Sequence, residues 1–406
     1  MTNQAFRFMH ASDFRLHEPC LGLIAPPSEL LETLINAPFQ AAQRVVDTAL
    51  TERVDFIILS GEIVHPYLGG ARSIAFLLEQ FERLESEGVR VYWAGGTVDP
   101  PDQWPASVTL PDNVTFFGRG GVTTITHQRD DKPLAVIAGQ SCLADGRIVP
   151  SEFAANGPGP FRIAVACGVA ETEVLGAHDV NYWALGGRYN RETPLSKQRV
   201  AHYPGSPQGR SIDHVGAHGC TMVRVDTEGA IRTQQSVTDV LRWRTEKITL
   251  DSDADRKGVQ RRLHERAQML AAENSDRPML IHWRIEASGK MGAALRHGGL
   301  DKELIDWLNQ SFGRSTPAVW TVEMQTRVTE NLPAAWYEED TILGDFLRSV
   351  RRMQADNEPL DLEEFLEDRS QADALADEAV LNDATQREQV LRDVAILGAD
   401  LLRPEA

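Results

Sequence analysis

Three short apolar stretches, each ending in small or acidic residues, decide the fold of this 406-residue chain. They read FRFMHASDFR at residues 6–15, DFIILSGEIVH at residues 55–65 and VRVYWAGGTVDP at residues 89–100. Their length and their Val, Ile, Phe, Tyr and Trp content are typical of buried strands. Between them, residues 39–53 and 73–88 carry apolar residues at helical spacing. This alternation of strand and helix predicts a layered α/β domain.

Further strand-like runs follow with few helices between them. They lie at residues 114–118, 134–138, 162–166, 181–185 and 221–225. This order favours two stacked sheets over one doubly wound sheet. We expect Trp93, Trp183, Trp243 and Trp283, which lie in or beside strands, to be core residues.

The rest of the chain divides into a small unit and a tail. Strand-like and helix-like segments alternate at 247–251, 256–273, 279–286, 301–312 and 318–325. The tail shows helical segments at 342–353, 360–366 and 386–402. We therefore predict domains at 1–242 and 243–340 and an acidic helical tail at 341–406.

Composition excludes several classes of protein. With 42% hydrophobic and 25% charged residues, and no apolar run of about 18 residues, disordered and membrane-spanning classes do not fit. The cysteines form no CxxC pair, and the start lacks a signal-peptide pattern, so we expect a reducing, cytoplasmic setting. The net charge of −18 shows no overall basic footprint for DNA, and half of it lies in the tail, which has 16 acidic and 7 basic residues.

The informative polar residues follow the strands, where layered α/β folds collect their active sites. The runs are HASDFR at 10–15, SGEIVHP at 60–66, GGTVDP at 95–100, CG at 167–168 and GGRYN at 186–190. This ordered chain of motifs resembles the calcineurin-like metallophosphoesterases, and most closely their DNA repair exonuclease branch, the SbcD-like nuclease subunits.

Runs outside the metal motifs add to the resemblance, which covers residues 5–245 in register. YWALGGRYNR at 182–191 is similar to the family's YWALGHIHKR, and YPGSPQGRS at 203–211 to its YPGTPQGRS. The resemblance implies a four-layered α/β/β/α metallophosphoesterase sandwich with a small α/β capping domain. It also implies a site for two divalent metals, usually manganese, and a helical region that docks on the coiled-coil base of an SbcC-like ATPase.

The chain departs from the family pattern at most metal-ligand positions. Asp13 is identical, Glu62 replaces the bridging Asp, and Asp99 is the acid adjacent to the catalytic histidine. The other positions lose their ligands and now hold Arg15, Thr97, Val98, Cys167, Gly187 and Tyr189. Because Arg15 is a permanent cation without a lone pair, it repels a metal. We therefore expect no intact catalytic site and no cofactor, or at most a single weakly held Mn or Mg ion on Asp13 and Glu62, helped by His65 or Asp99.

Arg15 has two interpretations. With Arg188 it could bind phosphate directly, or it could pair with Asp13 or Glu62 in a vestigial site. A basic stretch could follow a DNA backbone, or it could be a solvated loop. Its residues are Arg188, Arg191, Lys197, Arg199 and Arg210.

Three histidines and Cys167 favour structural readings. His202, His214 and His218 lie close in sequence, and the last two are four residues apart. However, VGA between them predicts a loop rather than a zinc-binding helix, and the carboxylate companion of the helical zinc motif is missing. Cys167 has no imidazole partner in register, which favours a buried thiol, and His10 fits a hydrogen-bonded histidine.

The resulting hypothesis is an inactive relative of the SbcD-like nucleases, acting as a DNA-end-binding or scaffold subunit beside an SbcC-like ATPase. The apolar stripe at 342–350 would dock on this partner, or pack on its own domain. A phosphoesterase or DNA exonuclease with a rebuilt site, and a regulatory protein that binds phosphate or a nucleotide, remain as alternatives. The resemblance also leaves a homodimer open, and the sequence gives no reason to expect a membrane partner.

Overall fold

The computed structural model describes residues 4–20, 22–23, 26–153, 160–251, 254–273, 276–287, 289–297, 299–327, 332–356, 360–361, 380–381 and 383–402. The chain forms two compact units. The first comprises residues 1–245, 269–282 and 309–322, and the second comprises 246–268, 283–308 and 323–406. The three predicted domain limits stay a prediction.

Two six-stranded sheets build the first unit. One has the order β12-β11-β1-β2-β3-β4 and consists of β1 (Phe6–Ala11), β2 (Phe56–Leu59), β3 (Arg90–Ala94), β4 (Val114–Phe117), β11 (Gly219–Val225) and β12 (Ile231–Val237). The other has the order β5-β6-β7-β8-β10-β9 and consists of β5 (Thr123–Arg129), β6 (Lys132–Gln140), β7 (Phe161–Cys167), β8 (Tyr182–Gly186), β9 (Glu192–Ser196) and β10 (Val200–Tyr203). Strands β1 to β4 are parallel, as are β6, β7, β8 and β10.

Helices cover the outer faces of the two sheets. Helices α1 (Ser28–Thr51) and α2 (Gly70–Ser86) pack on the first sheet, and the short α3 (Thr172–Ala177) packs on the second. A separate aromatic core, including Phe8, Phe56 and Tyr182, fills the space between the sheets. The predicted α/β/β/α sandwich is therefore confirmed.

Helices dominate the second unit. They are α4 (Arg256–Glu273), α5 (Gly289–His297), α6 (Leu300–Phe312), α7 (Ile342–Ala355) and α8 (Ala384–Leu402), of which α4 and α6 also contribute residues to the first unit. A three-stranded sheet has the order β13 (Arg242–Thr249), β14 (Met279–Glu286) and β15 (Val319–Arg327), and each of its strands supplies residues to both units. Strands β16 (Leu360–Asp361) and β17 (Val380–Leu381) pair with each other. Within the described residues, no helix is long and apolar enough to cross a membrane.

The sequence patterns located most elements to within two residues. All eight strands predicted over residues 6–225 exist, and the four tryptophans are fully buried. Helix α1 begins eleven residues before its predicted start, because the buried Pro38 lies inside the helix without ending it. The helix predicted at 360–366 is wrong at its start, where Leu360–Asp361 pair as a strand, and residues 362–366 lie outside the described residues.

Candidate functional site

The candidate site lies where β1, β2 and β3 end. Here the loops after β1 and β2 are joined by backbone hydrogen bonds, from Asp13 N to the Gly61 carbonyl and from Arg15 N to the Glu62 carbonyl, each 3.0 Å long. Asp13, Arg15 and Glu62 all have positive φ angles, of 56°, 40° and 59°. Such strained conformations in non-glycine residues are typical of functional sites. These unusual conformations mark the three residues as the centre of the candidate site.

Arg15 fills this centre with its guanidinium group. Its Nη2 lies 2.7 Å from Oε2 of Glu62, and its Nη1 lies 2.6 Å from Oε1 of Glu18. The Glu62 side chain is only 3% exposed. The Tyr189 ring packs on the guanidinium, 5.0 Å away. This geometry agrees with the internal salt bridge rather than with a guanidinium free for phosphate.

Glu62 has little room for a metal ion, because protein donors occupy both of its oxygens. Oε1 accepts hydrogen bonds from the Thr97 backbone N and from Thr97 Oγ1, at 2.6 and 2.7 Å. Oε2 is the oxygen that Arg15 binds. Val98, in the position of the family's catalytic histidine, supplies no donor or acceptor in its side chain.

Asp99 is fully buried and serves the backbone of the same loops. Its Oδ1 accepts from the backbone N of Gly96 and of Glu62, and its Oδ2 accepts from Ile63 N and Trp93 Nε1, at distances of 2.7 to 3.2 Å. Burial, with the nearby Glu62 charge, raises its pKa to about 6 despite these donors. Because its carboxylate accepts four hydrogen bonds, Asp99 connects the loops that follow β2 and β3 rather than serving as a free ligand.

Asp13 is the remaining carboxylate and is also buried. Its Oδ2 accepts from Ser12 Oγ at 2.6 Å and from Gly187 N at 3.1 Å. Burial, together with the Glu62 charge, raises the pKa of Asp13 to about 7. Gly187, a vacated histidine position, therefore contributes a backbone donor in place of a side-chain ligand.

Cys167 is a buried thiol, as expected, and has a partner that sequence reasoning missed. Its Sγ lies 3.9 Å from Oε1 of Glu62. Interaction with Cys142 and burial raise the pKa of Cys167 well above the usual value, while the pKa of Cys142 is lowered by the same interaction. Cys142 follows β6, which is parallel to β7, so its position after a parallel strand was the available signal.

Glu18 is the second residue that the sequence did not single out. It accepts the Arg15 hydrogen bond and contacts the Tyr189 hydroxyl at 3.5 Å. Burial works to raise the pKa of Glu18, but hydrogen bonds from His17 and Arg15 lower it to about 2. Glu18 belongs to no strand-end motif, so no sequence signal marked it.

The basic stretch does not form one cationic surface. Arg188 pairs with Glu192 and lies over the Tyr203 ring, 4.4 Å away, so it does not join Arg15. Arg210 is 5% exposed and donates to the main-chain carbonyls of Phe14, Arg15, Glu18 and Gln208. The expectation that Arg210 lies on a DNA-binding surface is therefore wrong.

Arg199 pairs with Asp179, at 3.2 Å. Within the described part of the chain, Arg191 and Lys197 form no ion pair.

The histidines have structural partners. His214 stacks on Tyr189 with ring centroids 4.2 Å apart, and His218 bonds Ser206 and the His214 carbonyl. Both lie in the loop before β11, as the sequence indicated. His10 bonds Ser60 and Tyr182, and His202 bonds Thr193 and Thr221.

These residues do not fit the two metals that the family pattern implies. Across the described ranges, no group of three or more His, Cys, Asp or Glu side chains is arranged to hold a metal ion. Both oxygens of Glu62 and Oδ2 of Asp13 already accept hydrogen bonds from backbone, guanidinium or hydroxyl donors. Nδ1 of His65 accepts from the backbone N of Tyr67 and Leu68, each at 3.3 Å.

Comparison with known proteins gives one extended match. No family model matches the chain. The chain is 23% identical over 409 residues to the uncharacterized metallophosphoesterase YhaO of Bacillus subtilis strain 168, covering 95% of this chain and 97% of that protein.

Solved structures are more distant. A dimetal phosphatase from Danio rerio shares 10% identity with a TM-score of 0.36, covering 54% of this chain and 93% of its own. An archaeal phosphodiesterase shares 12% identity with a TM-score of 0.29, covering 57% and 99%. Over nearly its full length the chain is therefore similar to a protein named as a metallophosphoesterase, and its two stacked parallel-rich sheets between helices agree with the predicted sandwich fold.

Proposed function

We propose that this protein is a non-hydrolytic member of the SbcD-like branch, acting as a scaffold or DNA-end-binding subunit beside an SbcC-like ATPase. The ion pair of Arg15 with Glu62 carries the first part of this proposal. A dimetal phosphoesterase uses paired metals to activate water and to hold phosphoryl oxygens. Here a fixed cation lies against the carboxylate that would bridge those metals.

Two further features support the absence of hydrolysis. Val98 and Gly187 stand where the family has histidines, and neither side chain binds metal or transfers a proton. Asp99, on which a rebuilt site would depend, has both oxygens committed to protein donors. These observations weigh against the alternative of a rebuilt one-metal enzyme.

The phosphate-binding alternative has little support in this site. Arg15 is committed to two carboxylates, and Arg188 is paired with Glu192. Any phosphate would have to displace an existing ion pair at each position.

A partner-binding role rests on the last two helices. The α7 stripe does not offer a free docking face, because Leu343, Leu347 and Val350 pack under α8 against Leu391 and Ala395. Of the two roles open to the apolar stripe at 342–350, the packing therefore agrees with the second: α7 buries the stripe against its own neighbouring helix.

Helix α8 instead exposes apolar residues on its other side. Val394, Leu397 and Leu401 are 36%, 41% and 63% exposed, at the i, i+3, i+7 spacing of a helix that docks on another helix. The resemblance supplies the partner: the coiled-coil base of an SbcC-like ATPase.

The first experiment measures manganese binding and phosphodiester turnover on one purified sample. We expect no manganese binding by calorimetry and no metal-dependent turnover of linear duplex DNA or a generic phosphodiester. Turnover that is lost in Asp13→Ala, but kept in the exposed control Asp102→Ala, would overturn the inactive reading.

A second experiment tests docking with a purified SbcC-like coiled-coil fragment. The double variant Val394→Asp/Leu401→Asp should weaken binding at least tenfold. Ile342→Asp, at a more exposed apolar site on α7, is the control and should leave binding unchanged. Equal binding by both variants would remove α8 as the docking helix.

A further inference from the structure

A second cluster of charged groups lies at the opposite ends of the strands. A pocket of about 500 Å³ opens beside the start of β1, the loop after α1 and two hairpins. We call it the arginine pocket. Its charged lining residues are Arg7, Arg53, Asp55, Arg129, Arg224, Asp226 and Arg232. The six residues of β1 separate it from Asp13, a distance of roughly 20 Å.

Three of these arginines form a row across neighbouring strands. Arg7 on β1 is the register partner of Arg224 on β11, and Arg224 is the register partner of Arg232 on β12. Register partners point to the same face of a sheet, with Cβ atoms about 5 Å apart. Like charges placed directly opposite each other destabilise a sheet. Strand pairing alone therefore does not explain why three arginines lie side by side on β1, β11 and β12.

The acidic residues of the pocket do not neutralise the row. Asp55 accepts from the Arg7 backbone N and from Arg129 Nη1, at 3.0 and 2.8 Å. Asp226 accepts from the backbone N of Glu228 and Ala230 and so closes its own turn.

Arg224 pairs with Glu52 at 3.1 Å, outside the pocket lining. In the described chain, the guanidinium groups of Arg53 and Arg232 have no ion pair, and Arg7 uses only Nε, toward the Arg53 carbonyl. The pocket thus keeps a net positive charge in a protein of net charge −18.

The lining indicates what kind of anion fits. Guanidinium groups match phosphate oxygens with two parallel hydrogen bonds, so adjacent arginines favour adjacent phosphates. Phe6 is the aromatic residue of the lining and is 5% exposed, so it offers no face on which a base could stack. A row about 10 Å long in an open pocket of about 500 Å³ matches the length of a short chain of phosphates rather than the extended groove that a nucleic acid strand follows.

We propose that the arginine pocket binds a small oligophosphate anion, of the kind that inorganic tripolyphosphate and the triphosphate group of a nucleotide share. The row supplies the charge, and the loop after α1 and the β5–β6 hairpin supply Arg53 and Arg129 at its sides. Binding here is separate from the site at Asp13 and does not depend on whether that site hydrolyses anything.

A structural role for the same arginines is the competing explanation. Cations near the carboxyl end of α1 would stabilise its exposed carbonyls and dipole. That role predicts lower stability on mutation, but no affinity for phosphate chains.

Calorimetric titration with tripolyphosphate, ATP and orthophosphate at constant ionic strength distinguishes the two. We expect tripolyphosphate to bind well below about millimolar concentration and orthophosphate to bind at least tenfold more weakly. Similar affinities for ATP and tripolyphosphate would identify the phosphate chain alone as the ligand, and tighter ATP binding would identify a nucleotide. Both results support the proposal.

The double variant Arg53→Asn/Arg232→Gln should weaken tripolyphosphate binding at least tenfold, and asparagine tolerates the positive φ of residue 53. The charge-matched control Arg83→Gln/Arg162→Gln, whose arginines pair with Asp47 and Asp179, should leave affinity within about twofold. Thermal denaturation verifies that both variants fold. Undetectable tripolyphosphate binding, equal affinity in the two double variants, or duplex DNA that binds here without competition from tripolyphosphate would each overturn the proposal.

Discussion

Replacing Arg15 with alanine tests whether the candidate site is held together by its own charges. The substitution removes the cation from Glu62, whose side chain is 3% exposed, and from Glu18, which is about one-third exposed. Removing one partner of a buried ion pair costs about 3–5 kcal/mol, because the other charge is left unpaired. Since the Arg15 side chain is 19% exposed, water reaches part of the pair, so we expect a loss of about 2–4 kcal/mol.

Arg15→Lys tests the geometry of the pair separately from its charge. The lysine keeps the positive charge but loses the two-pronged hydrogen bonding of the guanidinium group. Its loss of stability should therefore lie between zero and that of Arg15→Ala.

Urea denaturation at pH 8, followed by tryptophan fluorescence, measures these differences. Arg83→Ala removes an exposed pair with Asp47 and should cost less than about 0.5 kcal/mol. If Arg15→Ala costs no more than Arg83→Ala, the Arg15–Glu62 pair does not hold this site and our interpretation of Arg15 is wrong.

Three further perturbations have expected outcomes that the structure defines. Burial raises the pKa of Asp13 from 3.8 to about 7, so its contribution to stability is complete below about pH 4 and is lost as the pH rises through about 7. Asp13→Asn should flatten this pH dependence, which amounts to a few kcal/mol at most, when unfolding is measured across pH 4–8. An unchanged pH dependence would refute this expectation. Gly186→Ala should lower the melting temperature strongly, since a Cβ there would lie 1.7 Å from the Ser60 carbonyl oxygen, whereas Gly118→Ala, which meets open space, should change it little. In the second unit, Leu347→Ala should cost about 2–4 kcal/mol and the 77% exposed Ile342→Ala less than about 0.5, in urea unfolding; similar costs would show that α7 does not bury its stripe under α8.

The parts of the fold that follow a strong periodic pattern could be predicted from the sequence. Strands such as β1 and β7 are buried on both faces, so their apolar runs are almost continuous. Strands β5, β9, β10 and β12 were missed. Three of them, β5, β9 and β12, are sheet edges, where half-exposed polar side chains weaken the pattern, and the interior strand β10 has only four residues. These four strands therefore had to come from the structure.

For the candidate site, sequence gave the residues but not their pairing. The positions of Asp13, Arg15 and Glu62 after parallel strands indicated that they would meet, and they do. Whether Arg15 would turn toward phosphate or toward Glu62 depended on Glu18, which lies in a loop without a periodic pattern. Whether Arg15 binds phosphate or pairs with Glu62 depends on side-chain geometry, which the spacing of residues in the sequence does not predict.

The carboxylates of this site illustrate why acidic residues alone do not indicate metal chemistry. A metal ligand needs an oxygen with a free lone pair directed into the site. Asp99 directs both oxygens to backbone and indole donors of its own loops, and Asp13 directs one to Gly187. Removing either one would leave buried N–H groups unpaired, at about 1–3 kcal/mol each. These acids therefore have a structural reason to be present that does not depend on a metal ion, and Arg15 places a positive charge against Glu62.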